Sequence, residues 1–106
     1  MSFEIVSVED ALRVRGEMTI NNAAAIKEQL FAALAQSPPG TEIDLSQVSE
    51  LDTSGLQILL MARATAAGSR QTALLNPSVA VREVMNLCRA GDLVALPGEP
   101  VDEAAP

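Results

Sequence analysis

The chain contains no histidine, tryptophan or tyrosine, a single cysteine and a single lysine. With no imidazole and one thiol, structural zinc sites and histidine-based triads are excluded, and no metal or cofactor is expected. Cys88 cannot form a disulfide within the chain, which fits a reducing compartment. No run of about 18 apolar residues occurs, so no segment is expected to span a membrane. The opening "MSFEIVSVED" lacks the basic region and apolar run of a signal peptide. These absences together predict a cytoplasmic protein. Basic residues are also few: seven Lys and Arg stand against fourteen Asp and Glu, a formal charge of −7. A binder of nucleic-acid phosphates needs clustered cations, so that class is excluded. The balance suits a soluble protein, or one whose partner offers a basic surface.

What is present is an apolar fraction of 48% in 106 residues, enough for one domain with one core of Leu, Ile, Val, Ala and Met. "FEIVSV" (3–8) and "ALRVRG" (11–16) read as strands joined by Glu9-Asp10, an antiparallel hairpin. "INNAAAIKEQLFAALAQ" (20–36) reads as a helix, with Ile26, Leu30 and Leu34 in one stripe and Asn21 or Asn22 as cap. "TEIDLS" (41–46) alternates as a strand, with Glu42 and Asp44 on its solvated side. A second helix follows over 54–67, stopped by Gly68. "QTALLN" (71–76) is a strand; Asn76 is expected to cap a third helix, 77–90, with Pro77 at its first position. Val81, Val84, Met85 and Cys88 form that helix's expected buried stripe, and Gly91 closes it. "LVAL" (93–96) completes the series as a short strand. Residues 97–106 are acidic and Pro-rich and are expected to fray, leaving 1–96 as the domain. The order β-β-α-β-α-β-α-β predicts an α/β fold with a mixed, mostly parallel sheet. Charges on one side of the strands at 11–16 and 41–46 predict helices mainly on the other side.

The stretch "SELDTSGLQILL" (49–60) stacks Asp52, Thr53, Ser54 and Gly55 where a loop meets a helix. Ser54 and Gln57 fit a capping box, which needs no function. That reading leaves Gly55 unexplained, because glycine in a first helical turn costs about 0.5–1 kcal/mol relative to alanine. An open backbone at a helix N-terminus also suits an anion, including a phosphate carried on a hydroxyl. Ile58 and Met61 fall away from Leu56, Leu59, Leu60 and Arg63 on the helical wheel, which makes them candidates for an outward contact.

Three stretches carry a family resemblance. They are "RVRGEMTINNAAAIK", "IDLSQVSELDTSGLQILL" and "LLNPSVAVREVMNLCRAGDLV". Together they resemble STAS domains, the modules of anti-sigma-factor antagonists and of the cytoplasmic tails of sulfate transporters. The resemblance runs over residues 3 to 96 and implies a STAS fold with no enzymatic activity. In antagonists of this family the serine before Gly-Leu is phosphorylated by a partner kinase that is also an anti-sigma factor. The resemblance thus implies Ser54 as phosphoacceptor, with Thr53 second, and Asp52 as the start of the signature. It implies partner contacts at Asp52, Thr53, Ser54 and Gly55 and in the preceding loop at Thr19, Asn21 and Asn22; Ile58 or Met61 extends that surface. Thr19 stands where many antagonists are acidic, and Asn22 where threonine is common. The wording is nearer to STAS proteins of chemotaxis and two-component systems than to the sporulation antagonists. Other small STAS proteins stabilise the permease of a lipid-transport ABC system, which offers a second reading without phosphate. A response-regulator receiver does not fit, because it needs a lysine late in the chain and Lys27 lies in the first helix.

Overall fold

The computed structural model describes residues 3–38, 40–65, 72–89 and 94–95. Strand β1 (Phe3–Val8) turns at Glu9, which takes a left-handed φ of 55°, into the antiparallel β2 (Ala11–Met18). Helix α1 (Ala23–Ala35) leads to β3 (Glu42–Leu51), α2 (Thr53–Thr65) to β4 (Leu74–Leu75), and α3 (Val79–Leu87) to β5 (Val94–Ala95). The strands lie in sequence order, and every pair after the hairpin is parallel. Parallel crossovers are right-handed as a rule, and three of them stepping one strand each in the same direction place all three helices on one face of the sheet, where their buried side chains meet those of β2 and β3. That is the arrangement the one-sided strand charges predict.

The core lies between this face and the helices. Leu12, Val14, Met18, Ile43, Leu45, Val48 and Leu51 come from the sheet; Ile26, Leu30, Leu59, Ala62, Val81 and Met85 come down from the helices. The opposite face carries the ion pairs Glu4–Arg15 (3.5 Å, exposed) and Arg13–Asp44 (3.1 Å). Cross-strand pairs of this kind keep a polar sheet face in register.

Several local expectations change. β3 runs to Leu51 instead of ending near Ser46. Its buried apolar residues Ile43, Leu45, Val48 and Leu51 are spaced by two, then three, then three. Each step of three absorbs a register shift against β2, so the period-two pattern breaks where the strand continues. Asp44 is not solvated: it is 7% exposed and paired with Arg13. Asn22 stands at the N-cap of α1, but its side chain gives the helix no hydrogen bond; its Nδ2 donates to Glu17 O (2.9 Å). Helix α3 is capped by Ser78, whose Oγ accepts from Val81 N–H (3.2 Å). Asn76 instead takes a left-handed φ of 55°, a conformation asparagine tolerates, and turns the chain out of β4. Because α3 ends at Leu87, Cys88 is its C-cap and is exposed, outside the buried stripe. The expected helix stops at Gly68 and Gly91 and the segment 97–106 lie outside the described residues.

Candidate functional site

The two register shifts build the site. Arg13 lies beside Asp44, yet Met18 lies beside Leu51, so five steps along β2 (13 to 18) match seven along β3 (44 to 51). The surplus brings Asp52 level with the loop that follows β2. Asp52 N–H donates to Met18 O (3.2 Å), tying the two strand ends together. The Asp52 carboxylate then holds two segments at once. Oδ2 accepts from Ile20 N–H (2.9 Å), and Oδ1 accepts from Gly55 N–H (3.0 Å).

Asp52 is therefore the cap of α2, since its backbone carbonyl also accepts from Leu56 N–H (2.9 Å). The expected Ser54–Gln57 capping box is not used: Thr53 opens the helix, Ser54 follows it, and Gln57 is exposed. Gly55 has a packing reason rather than an access reason. It is buried, and a Cβ built on it runs into Met18 O and comes within 2.7 Å of Leu51 Cδ1 and 2.9 Å of Met18 Cβ. The first turn of α2 rests directly on the end of β2, and only a residue without a side chain fits between them.

Burial pushes the Asp52 carboxyl up, but the N–H groups of Gly55, Ile20, Ser54 and Asp52 itself outweigh it and hold the group below the ordinary carboxylate value. A group with a depressed folded pKa stabilises the fold above its unfolded value and loses that contribution as pH falls through the folded one. The clasp between the 19–22 loop and α2 should thus be intact at neutral pH and open only as pH falls below the ordinary carboxylate range, through the depressed folded value of Asp52. Amide NMR shifts of Ile20 and Gly55 followed through an acid titration check this. In Asp52→Ala the neutral-pH shifts should already match the acid limit, and their persistence near wild-type positions would count against the clasp.

The surface above this clasp is largely uncharged. Thr53, Gln57, Met61 and Ala64 are exposed along α2 at the spacing of one helical stripe. Ser54 is half-buried beside it. Met61 is 40% exposed, whereas Ile58, expected to point outward with it, is 4% exposed and belongs to the core. The reason is that α2 lies between α1 and α3 and contacts both, so its buried arc is wider than a single stripe. In the loop, Asn22 N–H donates to Thr19 O (2.9 Å) and closes a turn; Asn21 is exposed, Thr19 and Asn22 are half-buried. At the tip of this turn, Ile20 is 67% exposed. The helical pattern of 20–36 takes in Ile20, which the structure places in the turn before α1. The available signal was its spacing, which does not match the stripe of Ile26, Leu30 and Leu34. Among the described residues no group of three or more Cys, Asp or Glu is placed to hold a metal ion, and no helix is long and apolar enough to cross a membrane.

A family model described as "Mlab, STAS domain" matches residues 1–95. The fold is similar to that of the anti-sigma factor antagonist SpoIIAA in its unphosphorylated form, at 24% identity and a TM-score of 0.66, over 92% of this chain and 90% of that one. It is also similar to an anti-sigma factor antagonist from Mycobacterium paratuberculosis, at 24% identity and a TM-score of 0.73, over 95% of this chain and 88% of that one. No curated protein matches the chain significantly. At these identities the two solved structures speak for the fold.

Proposed function

We propose, on the premise that this chain belongs to the STAS domain family, that it is a non-enzymatic regulatory module that docks a signalling protein through the 19–22 loop and the exposed stripe of α2. Its partner is a serine kinase of the anti-sigma type or a chemotaxis-type signalling protein, and phosphorylation of Ser54 switches the contact off. The protein works in the cytoplasm without a cofactor, residues 1–96 being the docking domain and 97–106 an appended acidic segment. The observation that carries this reading is the position of Thr53 and Ser54. They open α2 at the edge of an uncharged exposed stripe, next to the exposed Ile20. A phosphate there sits at a helix N-terminus, which tolerates it, and within a contact surface, which does not. The SpoIIAA neighbour, described in an unphosphorylated form, supports the same reading.

The second reading is a constitutive subunit that steadies an ABC-type lipid transporter permease. The exposed Ile20 and Met61 favour it, because an apolar contact suits a permanent partner as well as a switched one. Affinity capture from the native cell, followed by intact-mass and phosphosite analysis with the captured kinase and ATP, separates the two. The switch predicts phosphate on Ser54, with Thr53 as the lesser site. Capture of a permease complex, with no phosphate on either residue, would replace the switch by the constitutive subunit.

A further inference from the structure

Asp44 lies far along β3 from the docking surface, yet its surroundings are built. It is one of two buried polar or charged side chains among the described residues, at 7% exposure, and it faces the side of the sheet without helices. Its Oδ1 accepts from Ser46 N–H (2.8 Å), two residues on in the same strand. Its Oδ2 accepts from Arg13 Nε (3.1 Å) and pairs with Arg13 Nη2 at the same distance. These contacts fall on the first register shift, between the pairs Arg13–Asp44 and Arg15–Gln47. An extra residue in one strand leaves a backbone group outside the ladder, and that group needs a partner. Asp44 supplies it for Ser46, while Arg13, on the neighbouring strand, fixes the carboxylate across the gap.

We propose that Asp44 is a positioning residue that locks the first extra residue into β3, and through this register holds Asp52 level with Ile20. It acts on the proposed docking surface without touching it, and in that sense the inference rests on the functional reading above. Without the first shift, β3 would reach the end of β2 one residue out of step. The Asp52 carboxylate would then face away from Ile20 N–H, because one residue of slippage reverses a strand's faces. The same slip would turn Val48 and Leu51 out of the core, so the loss falls on the sheet end under α2, while the β1–β2 hairpin and α1 lie on the near side of the shift.

The test uses the full chain and amide hydrogen exchange read by NMR, with Leu30 in α1 as the internal reference for global stability. In Asp44→Ala, exchange at Ile20 and Gly55 should accelerate about tenfold more than at Leu30. Asp44→Asn keeps an oxygen that can accept from Ser46 N–H and should restore most of the protection, which a mere loss of stability would not predict. Arg15→Gln, which breaks only the exposed pair with Glu4, should leave both amides as in wild type. Should Asp44→Ala fail to fold, Arg13→Gln takes its place, with the same two amides expected to respond. Exchange at Ile20 and Gly55 that merely tracks Leu30, or an Asp44→Asn protein as open as Asp44→Ala, would overturn the proposal. No partner or kinase enters these measurements, so that failure leaves the docking reading standing, and failure to capture a partner leaves this one standing.

Discussion

Gly55→Ala is expected to destabilise the protein, although alanine is the better helix former. The intrinsic gain from replacing glycine within a helix is about 1 kcal/mol. Against it stands a methyl group driven into the carbonyl of Met18 and to within 2.7 Å of Leu51 Cδ1. Leu51 can shift, but the Met18 carbonyl belongs to β2 and also accepts from Asp52 N–H. Relief therefore requires the first turn of α2 to lift off the sheet end, which strains the Asp52 clasp. Overpacking of this kind costs about 1–3 kcal/mol and occasionally more, and a backbone obstacle places it at the upper end. The net loss should be about 2 kcal/mol, or a fall in Tm of about 8–16 °C for a domain of this size. Thermal and urea melts measure it. If the variant melts as high as wild type, α2 has more room than the structure gives it, and glycine is there for another reason.

The second large effect concerns binding. Ser54→Asp should weaken the captured partner's affinity, and phosphorylation should weaken it further. The exposed stripe that continues from Thr53 through Gln57, Met61 and Ala64 bears no charge, so a partner covering it desolvates whatever stands at Ser54. A phosphate adds about −1.5 to −2 charge close to the Asp52 carboxylate. Removing an unpaired charge from water costs several kcal/mol unless a cation meets it. A loss of about 3 kcal/mol, roughly a hundredfold in Kd, is the expected scale for the phosphorylated form. The aspartate variant, with one charge on a shorter arm, should lose less. Ser54→Ala should bind as wild type and resist the kinase. It should also fold as wild type, since the cap is Asp52 and not Ser54. Titration calorimetry with the purified partner decides the matter: equal affinities for the alanine, aspartate and phosphorylated forms would remove Ser54 from the interface.

Much of this architecture is legible in the sequence because it depends on local period. The alternation of Leu12 with Val14 and of Ile43 with Leu45, and the helical stripe of Ile26 and Leu30, fix element types from neighbours a few residues apart. Their order then restricts the sheet to parallel crossovers, and the one-sided charges select the helical face. Composition alone excluded histidine chemistry and argued against nucleic-acid binding, and the Asp-Thr-Ser-Gly stretch drew attention to the turn proposed as the site.

Tertiary structure decided what period cannot encode. Asp52, Thr53 and Ser54 at α2, like Asn76 and Ser78 before α3, all have side chains able to cap a helix, and the sequence ranks them poorly. Asp52 prevails at α2 because β3 delivers it beside Ile20, thirty-two residues earlier, so that one carboxylate accepts from both the Ile20 and the Gly55 N–H. Ile58 is buried and Met61 exposed because α2 has neighbours on both flanks, a fact absent from its own helical wheel. Asp44 looked solvated on an alternating strand, yet Arg13 and a displaced Ser46 N–H enclose it. Gly55 looked like an opening and is a closure, since the atoms that exclude its side chain come from Met18 and Leu51. The sequence by itself thus determined the elements, their order and the face they cover, which follow from spacing along the chain. Caps, clasps and the exposed arc of α2 follow from contacts between residues distant in the chain, and only the packed molecule brings those together.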